Sequence, residues 1–197
     1  MRVISGKYRG LEIKGYDILG TRPTMDRVKE SLFASIQNNV KNSVCLDLFA
    51  GSGALGIEAL SMGASTCYFV DNNKIAIKTL DDNLKRLRVT EEYHLLLNNY
   101  SDALSDFKDK LKFDLIFLDP PYHLDLMNDA IAKILNYDLL NDRGLIICEY
   151  EEGKIICDLP LVKTKKYGNK NINIYQKWKL FSFFFVQKKY NFFIISL

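Results

Sequence analysis

Val44-Cys45-Leu46-Asp47-Leu48-Phe49-Ala50-Gly51-Ser52-Gly53-Ala54-Leu55-Gly56 decides the fold class. Its first six residues form a mostly apolar run, the pattern of a strand buried on both faces. Glycines at 51, 53 and 56 then turn the chain, and residues 54–62 read as a helix that Gly63 stops. The alternation continues outward. Residues 67–70 predict a second strand. Residues 75–87 predict a helix with Ile75, Ala76, Leu80, Leu84 and Leu87 on its apolar face. A third strand at 95–97, a helix at 100–111, a fourth strand at 115–118, a helix at 126–135 and a fifth strand at 145–148 follow. Repeated strand–helix units predict an α/β fold with a mostly parallel sheet covered by helices on both faces. Ile155-Ile156 and residues 172–175 are expected to close the sheet edge as a pair of strands.

Upstream, Val3-Ile4 and Leu11-Glu12-Ile13 flank Gly6-Lys7-Tyr8-Arg9-Gly10, which predicts a small β-hairpin within residues 1–20. Thr21-Arg22-Pro23-Thr24 reads as a turn. Thr24 or Asp26 is expected to cap a helix carrying Val28, Leu32, Phe33 and Ile36. The main domain is expected to span 21–179. Beyond it, residues 180–197 form an apolar extension, FSFFFVQKKYNFFIISL from Phe181, which is short for a membrane span and receives no function. The full 197 residues fit one domain with a small appendage.

The formal charge is only +3, but its distribution is uneven. Before Ser31 there are seven bases (Arg2, Lys7, Arg9, Lys14, Arg22, Arg27 and Lys29) against four acids. A basic face of that kind suits phosphates. The four cysteines form no C-x-x-C pair, and three lie in apolar runs, as expected of reduced, buried thiols in a cytoplasmic protein. With His94 and His123 as the only histidines, no metal site is expected. The first residues lack the core of a signal peptide.

A G-x-G-x-x-G turn between strand and helix serves a dinucleotide fold and a methyltransferase alike. The glycines of Gly51, Gly53 and Gly56 let the backbone approach a ligand, and the helix amino terminus favours an anionic group. In S-adenosylmethionine that group is the methionine carboxylate. Phe49, Ala50 and Ser52 complete the loop. Asp71 ends the second strand, where a carboxylate can accept both hydroxyls of a ribose, or alternatively cap the next helix. Asp47 is placed to receive the donor's ammonium, directly or through water. Asn99 and Tyr100 follow the third strand, where an adenine edge and face would lie, although asparagines there are also ordinary turn residues.

The fourth strand ends in Asp119-Pro120-Pro121-Tyr122. Methyl transfer from a sulfonium is an in-line displacement, so position dominates and no strong base is needed before attack. An exocyclic aromatic amine is a poor nucleophile because its lone pair is delocalised. Hydrogen bonds from its two N–H groups to Asp119 and to the Pro120 carbonyl would favour pyramidalisation and aim the lone pair. Tyr122 would stack on the base, and Pro120 and Pro121 would fix the backbone.

With these residues the chain resembles the bacterial small-subunit ribosomal RNA guanine-N2 methyltransferase family. The matching pieces are residues 2–10 (RVISGKYRG), 22–33 (RPTMDRVKESLF), 46–60 (LDLFAGSGALGIEAL) and 119–122 (DPPY), and the resemblance runs to about residue 177. The glycine and DPPY motifs are shared by many amino-methyltransferases, whereas the amino-terminal pieces are specific to this family. The resemblance implies a Rossmann-like class I methyltransferase fold with a seven-stranded sheet and an amino-terminal hairpin. It implies S-adenosylmethionine as donor and the 2-amino group of a guanine in 16S rRNA as acceptor. The substrate would be RNA assembling with ribosomal proteins, acted on by a monomer. Arg9, Arg22 and Arg27 then become RNA contacts, and the target base must leave its stack.

Two other readings stand beside it. One keeps the chemistry with DNA adenine or cytosine, or a protein glutamine, as acceptor. The other replaces it with an NAD-dependent oxidoreductase or an RNA-binding module. The oxidoreductase leaves residues 119–122 unexplained, and the binding module gives no reason for a donor pocket.

Overall fold

The computed structural model describes residues 1–15, 23–120 and 124–178. Its elements run α1 (Pro23–Val40), β1 (Val44–Asp47), α2 (Ala54–Ser61), β2 (Thr66–Asp71), α3 (Lys74–Leu87), β3 (Glu92–Leu97) and α4 (Tyr100–Phe107). They continue with β4 (Phe113–Leu118), α5 (Leu124–Asn136), β5 (Leu140–Tyr150), β6 (Leu161–Tyr167) and β7 (Lys170–Gln176). The strands form one seven-stranded sheet in the order β3-β2-β1-β4-β5-β7-β6. The first five are mutually parallel, and β7 runs antiparallel to both β5 and β6.

The period of two along the strands builds two cores. Cys45, Leu115, Phe117, Leu145 and Ile147 face one side with Val28, Leu32, Phe33 and Ile36 of α1, Ile57 of α2 and Leu80 of α3. Leu46, Ile116, Leu118, Ile146 and Cys148 face the other with α4 and α5. This is the open α/β sheet with helices on both faces expected from the alternation.

Several local expectations change. Pro23 opens α1, so Thr24 and Asp26 fall in its first turn instead of capping it. Asn73 caps α3 by accepting from Ile75 N and Ala76 N, which leaves Ile75 on the solvent side at 65% exposure. The helix expected to reach residue 111 stops at Phe107. The sheet is closed by β6 and β7, whereas Ile155 and Ile156 lie in the preceding loop. β6 reads LVKTKKY and is almost wholly exposed, so it carries no apolar pattern. Its lysines blunt an edge strand that would otherwise invite pairing. The apolar extension expected at 180–197, and the part of the turn at Thr21 and Arg22, lie outside the described residues.

The expected amino-terminal hairpin forms no paired strands: it is a turn with one isolated antiparallel bridge, Arg2 with Glu12, held by Val3 N–H to the Leu11 carbonyl at 2.9 Å and Gly10 N–H to the Val3 carbonyl at 2.8 Å. Val3, Tyr8 and Ile13 are buried in the core shared by α1, α2 and α3. The anchor is Glu58 of α2, fully buried. Its carboxylate accepts from Ile4 N at 2.9 Å and Ser5 N at 2.7 Å, and pairs with buried Lys29 of α1 at 3.0 Å. Lys29 Nζ also donates to the Arg2 carbonyl at 2.6 Å. Gly6, at φ +77°, sits so close to α2 that a Cβ would lie 1.9 Å from the Ser61 carbonyl oxygen.

Candidate functional site

The carboxyl ends of β1, β2, β4 and β5 open on one cavity of about 920 Å³. It lies where the strand order reverses between β1 and β4, the place where open α/β sheets bind ligands. A smaller cavity of about 240 Å³ lies at the opposite edge, beside Ser43, Asp114 and Arg143.

Two carboxylates tie down the glycine loop. Asp47, the last residue of β1 and only 3% exposed, accepts from Gly56 N at 2.9 Å. Asp71, the last residue of β2, accepts from Gly51 N and from Asn73 N, each at 2.8 Å. Gly56 is required because a Cβ there would meet the Phe69 ring at 2.2 Å, so α2 packs directly on β2. Gly53 caps α2 at φ +84° and lies behind the cavity wall against Leu80, while Phe49, Ala50, Gly51 and Ser52 line it. Burial lifts the pKa of Asp47 to about 7. The Gly56 N–H works against that rise and the charge of Asp71 adds to it.

Asn99 and Tyr100 also line the cavity. The Asn99 carboxamide is engaged with α4, accepting from Asp102 N at 2.9 Å, so it caps the helix. The Tyr100 ring sits 5.6 Å from that of Phe49, and its hydroxyl donates to Asp129 of α5 at 2.8 Å. The two rings give the cavity an aromatic flank suited to a flat ligand.

Across the strand reversal, Asp119 and Pro120 follow β4 and line the same cavity. Pro121 and Tyr122 lie outside the described residues. Asp119 opens on the cavity, yet protein crowds its other sides. That burial, then the charge of Glu149, raises its pKa to about 7, with Lys170 pulling it down. Its open face keeps contact with water.

Sequence reasoning missed the next wall, Glu149, Glu151 and Glu152 with Lys170. The same logic that singled out Asp119, polar residues at the carboxyl end of a buried strand, points to Glu149 directly after Cys148. Lys170 opens β7 and pairs with Glu149. Although burial disfavours its charge, Glu149 and then Asp119 hold its pKa above the ordinary value.

Arg9 on the hairpin and Arg27 on α1 are exposed and make no ion pair among the described residues. Arg22 lies outside them. Of the other amino-terminal bases, Lys29 is buried against Glu58, Arg2 pairs with Asp26 at 3.4 Å and Lys7 with Glu91 at 2.8 Å. The basic face is therefore smaller than the charge count implies. Among the described residues no cluster of three or more His, Cys, Asp or Glu could hold a metal, and no helix is long and apolar enough to cross a membrane.

The family model described as conserved hypothetical protein 95 matches residues 1–176. The chain is 40% identical over 182 residues to Bacillus subtilis YlbH, covering 90% of this chain and 99% of that protein. It is 37% identical over 180 residues to the Haemophilus influenzae ribosomal RNA small subunit methyltransferase D, covering 89% and 93%. The solved structure of Escherichia coli yhhF superimposes with a TM-score of 0.79 at 31% identity, over 90% of this chain and 98% of that one.

Proposed function

The chain belongs to the conserved hypothetical protein 95 family, and from that premise we propose that it methylates the exocyclic 2-amino group of a guanine in small-subunit ribosomal RNA, with S-adenosylmethionine as donor. One observation carries the reading: Asp47 and Asp71 on one side of the strand reversal and Asp119 on the other share a single cavity.

The cavity fits the donor. Its walls carry six carboxylates, Asp47, Asp71, Asp119, Glu149, Glu151 and Glu152, against one lysine side chain. Such a field favours a ligand with a sulfonium and an ammonium. It disfavours a dinucleotide, whose pyrophosphate would face the same acids, and this sets the NAD-dependent reading aside. Asp47 would receive the ammonium, Asp71 the ribose hydroxyls, and the flank of Phe49 and Tyr100 the adenine. When bound, the sulfonium supplies an electrophilic methyl group.

The chain's own residues then position the amine. Asp119 accepts one N–H of the 2-amino group and the Pro120 carbonyl the other. Tyr122 stacks on the base. Asp119, its pKa raised by burial and by the charge of Glu149, can also hold the proton the amine gives up. Arg9, Arg22 and Arg27 contact the RNA backbone. The enzyme acts as a monomer in the cytoplasm, on RNA within an assembling small subunit, after the target base has turned out of its stack.

Calorimetry and product analysis test this. S-adenosylhomocysteine should bind in the micromolar range and NAD should not. Tritiated methyl transfer to small subunits from an unmethylated strain, digested to nucleosides, should place label in N2-methylguanosine; label in any other nucleoside removes the guanine assignment. Asp119→Ala should abolish transfer while leaving S-adenosylhomocysteine binding within a few-fold, on the order of 1 kcal/mol. Normal turnover by that variant overturns the assignment of Asp119.

A further inference from the structure

The acceptor side of the cavity carries a charged pair that the glycine and DPPY motifs leave unused. Leu118 and Cys148 are register partners on the parallel strands β4 and β5, so Asp119 and Glu149 are the next residues along neighbouring strands. Lys170 begins β7, which pairs with β5 on its far side, and its ammonium bonds the Glu149 carboxylate. All three side chains line the cavity together with Pro120. The pair is reachable from it, with 27% of Lys170 and 12% of Glu149 exposed. The strand order β4, β5, β7 thus lays a carboxylate, a second carboxylate and an ammonium in sequence across the sheet edge.

The Watson–Crick edge of guanine presents, in one direction, the 2-amino donor, the N1–H donor and the O6 acceptor. That order complements Asp119, Glu149 and Lys170. Resting on the function proposed above, we propose that Glu149 and Lys170 are the residues that select guanine: Glu149 accepts from N1–H and Lys170 donates to O6, while Asp119 holds the 2-amino group. Reading a flipped base by its Watson–Crick edge is the general solution for enzymes that modify bases. Selection follows from mismatch. In 2,6-diaminopurine the 2-amino group is kept, but N1 is an acceptor and position 6 carries an amine. Glu149 then faces a lone pair and Lys170 faces N–H donors, and both half-buried charges lose the bonds they were built to make. Glu151 and Glu152 on the same wall repel phosphate, so the base enters and its backbone stays outside.

The test uses the full chain and small subunits reconstituted with ligated 16S rRNA carrying either guanine or 2,6-diaminopurine at the methylated position. The wild type should favour guanine in kcat/KM on the order of a hundredfold or more. Glu149→Gln and Lys170→Met should each bring that ratio towards unity, with S-adenosylhomocysteine still binding within a few-fold as the check on folding. Variants that slow both bases equally, so that the ratio stays at its wild-type value, overturn the proposal and leave the pair a structural ion pair. A wild type that methylates no guanine in either particle sinks the functional reading itself, a result distinct from an unchanged ratio.

Discussion

Asp47 accepts one backbone N–H and is only 3% exposed, at the cavity wall, so its charge is costly until a cation arrives. Its folded pKa of about 7 stands above its ordinary 3.8. Between those values the folded protein keeps a proton that the unfolded chain releases. This contribution to stability is therefore full below the unfolded value and lost as pH rises through about 7, the whole shift being worth on the order of 4 kcal/mol. Asp47→Asn removes the titration. Thermal melts without ligand should show the variant gaining on the wild type from pH 5 to pH 8, while binding of a cationic donor is weakened at pH 8. A melting-temperature difference that does not change with pH counts against the burial argument. At this scale the glycines and Asp71 were readable because their spacing along the chain carries the chemistry. Glu149 lay within reach of the logic that found Asp119, but its pairing with Lys170 did not, because 21 residues separate them and only the antiparallel pairing of β5 with β7 brings them together.

α2 is eight residues long and serves two sites. Its first turn carries the glycine loop and, through Gly56, the tie to Asp47. Its last turn presents Glu58 and Ser61 to the hairpin, with Ser61 Oγ donating to the Ser5 carbonyl at 2.5 Å. Removing one member of a buried ion pair leaves the other charged and unpaired, which costs about 3–5 kcal/mol. Glu58→Gln should therefore lower the midpoint of urea unfolding by that equivalent, whereas Glu58→Leu combined with Lys29→Met should recover much of it. Equal losses from the single and double variants would show that the hairpin's hydrogen bonds to Glu58, and not the ion pair, dominate. The sequence made the hairpin visible through its glycines and flanking apolar residues. Its docking was hidden, since a glutamate in an apolar helix looks like any surface acid until its partner on another helix is known. β6 escaped for the converse reason: an exposed, lysine-rich edge strand has no buried face to impose a period of two.

Over the whole molecule a formal charge of +3 conceals a division of labour. The cavity is acidic, and Arg9 and Arg27 stand exposed on the hairpin and α1. If each meets one phosphate, Arg9→Ala or Arg27→Ala should weaken binding to small-subunit particles and reduce the slope of log K against log salt by roughly 0.7–0.9. Filter binding across a salt series reads this directly, and an unchanged slope removes that arginine from the interface. The alternation of strands and helices was enough to place the cavity at the carboxyl edge of the sheet, because topology alone puts the ends of β1, β2 and β4 there. Its acidity has a consequence for the catalytic cycle. With S-adenosylmethionine as donor, each turnover converts a sulfonium into a neutral thioether, so the departing product carries one positive charge fewer than the molecule that entered. The walls that recruit the fresh donor hold the spent one less firmly, and the exchange between them is driven by the reaction's own change of charge.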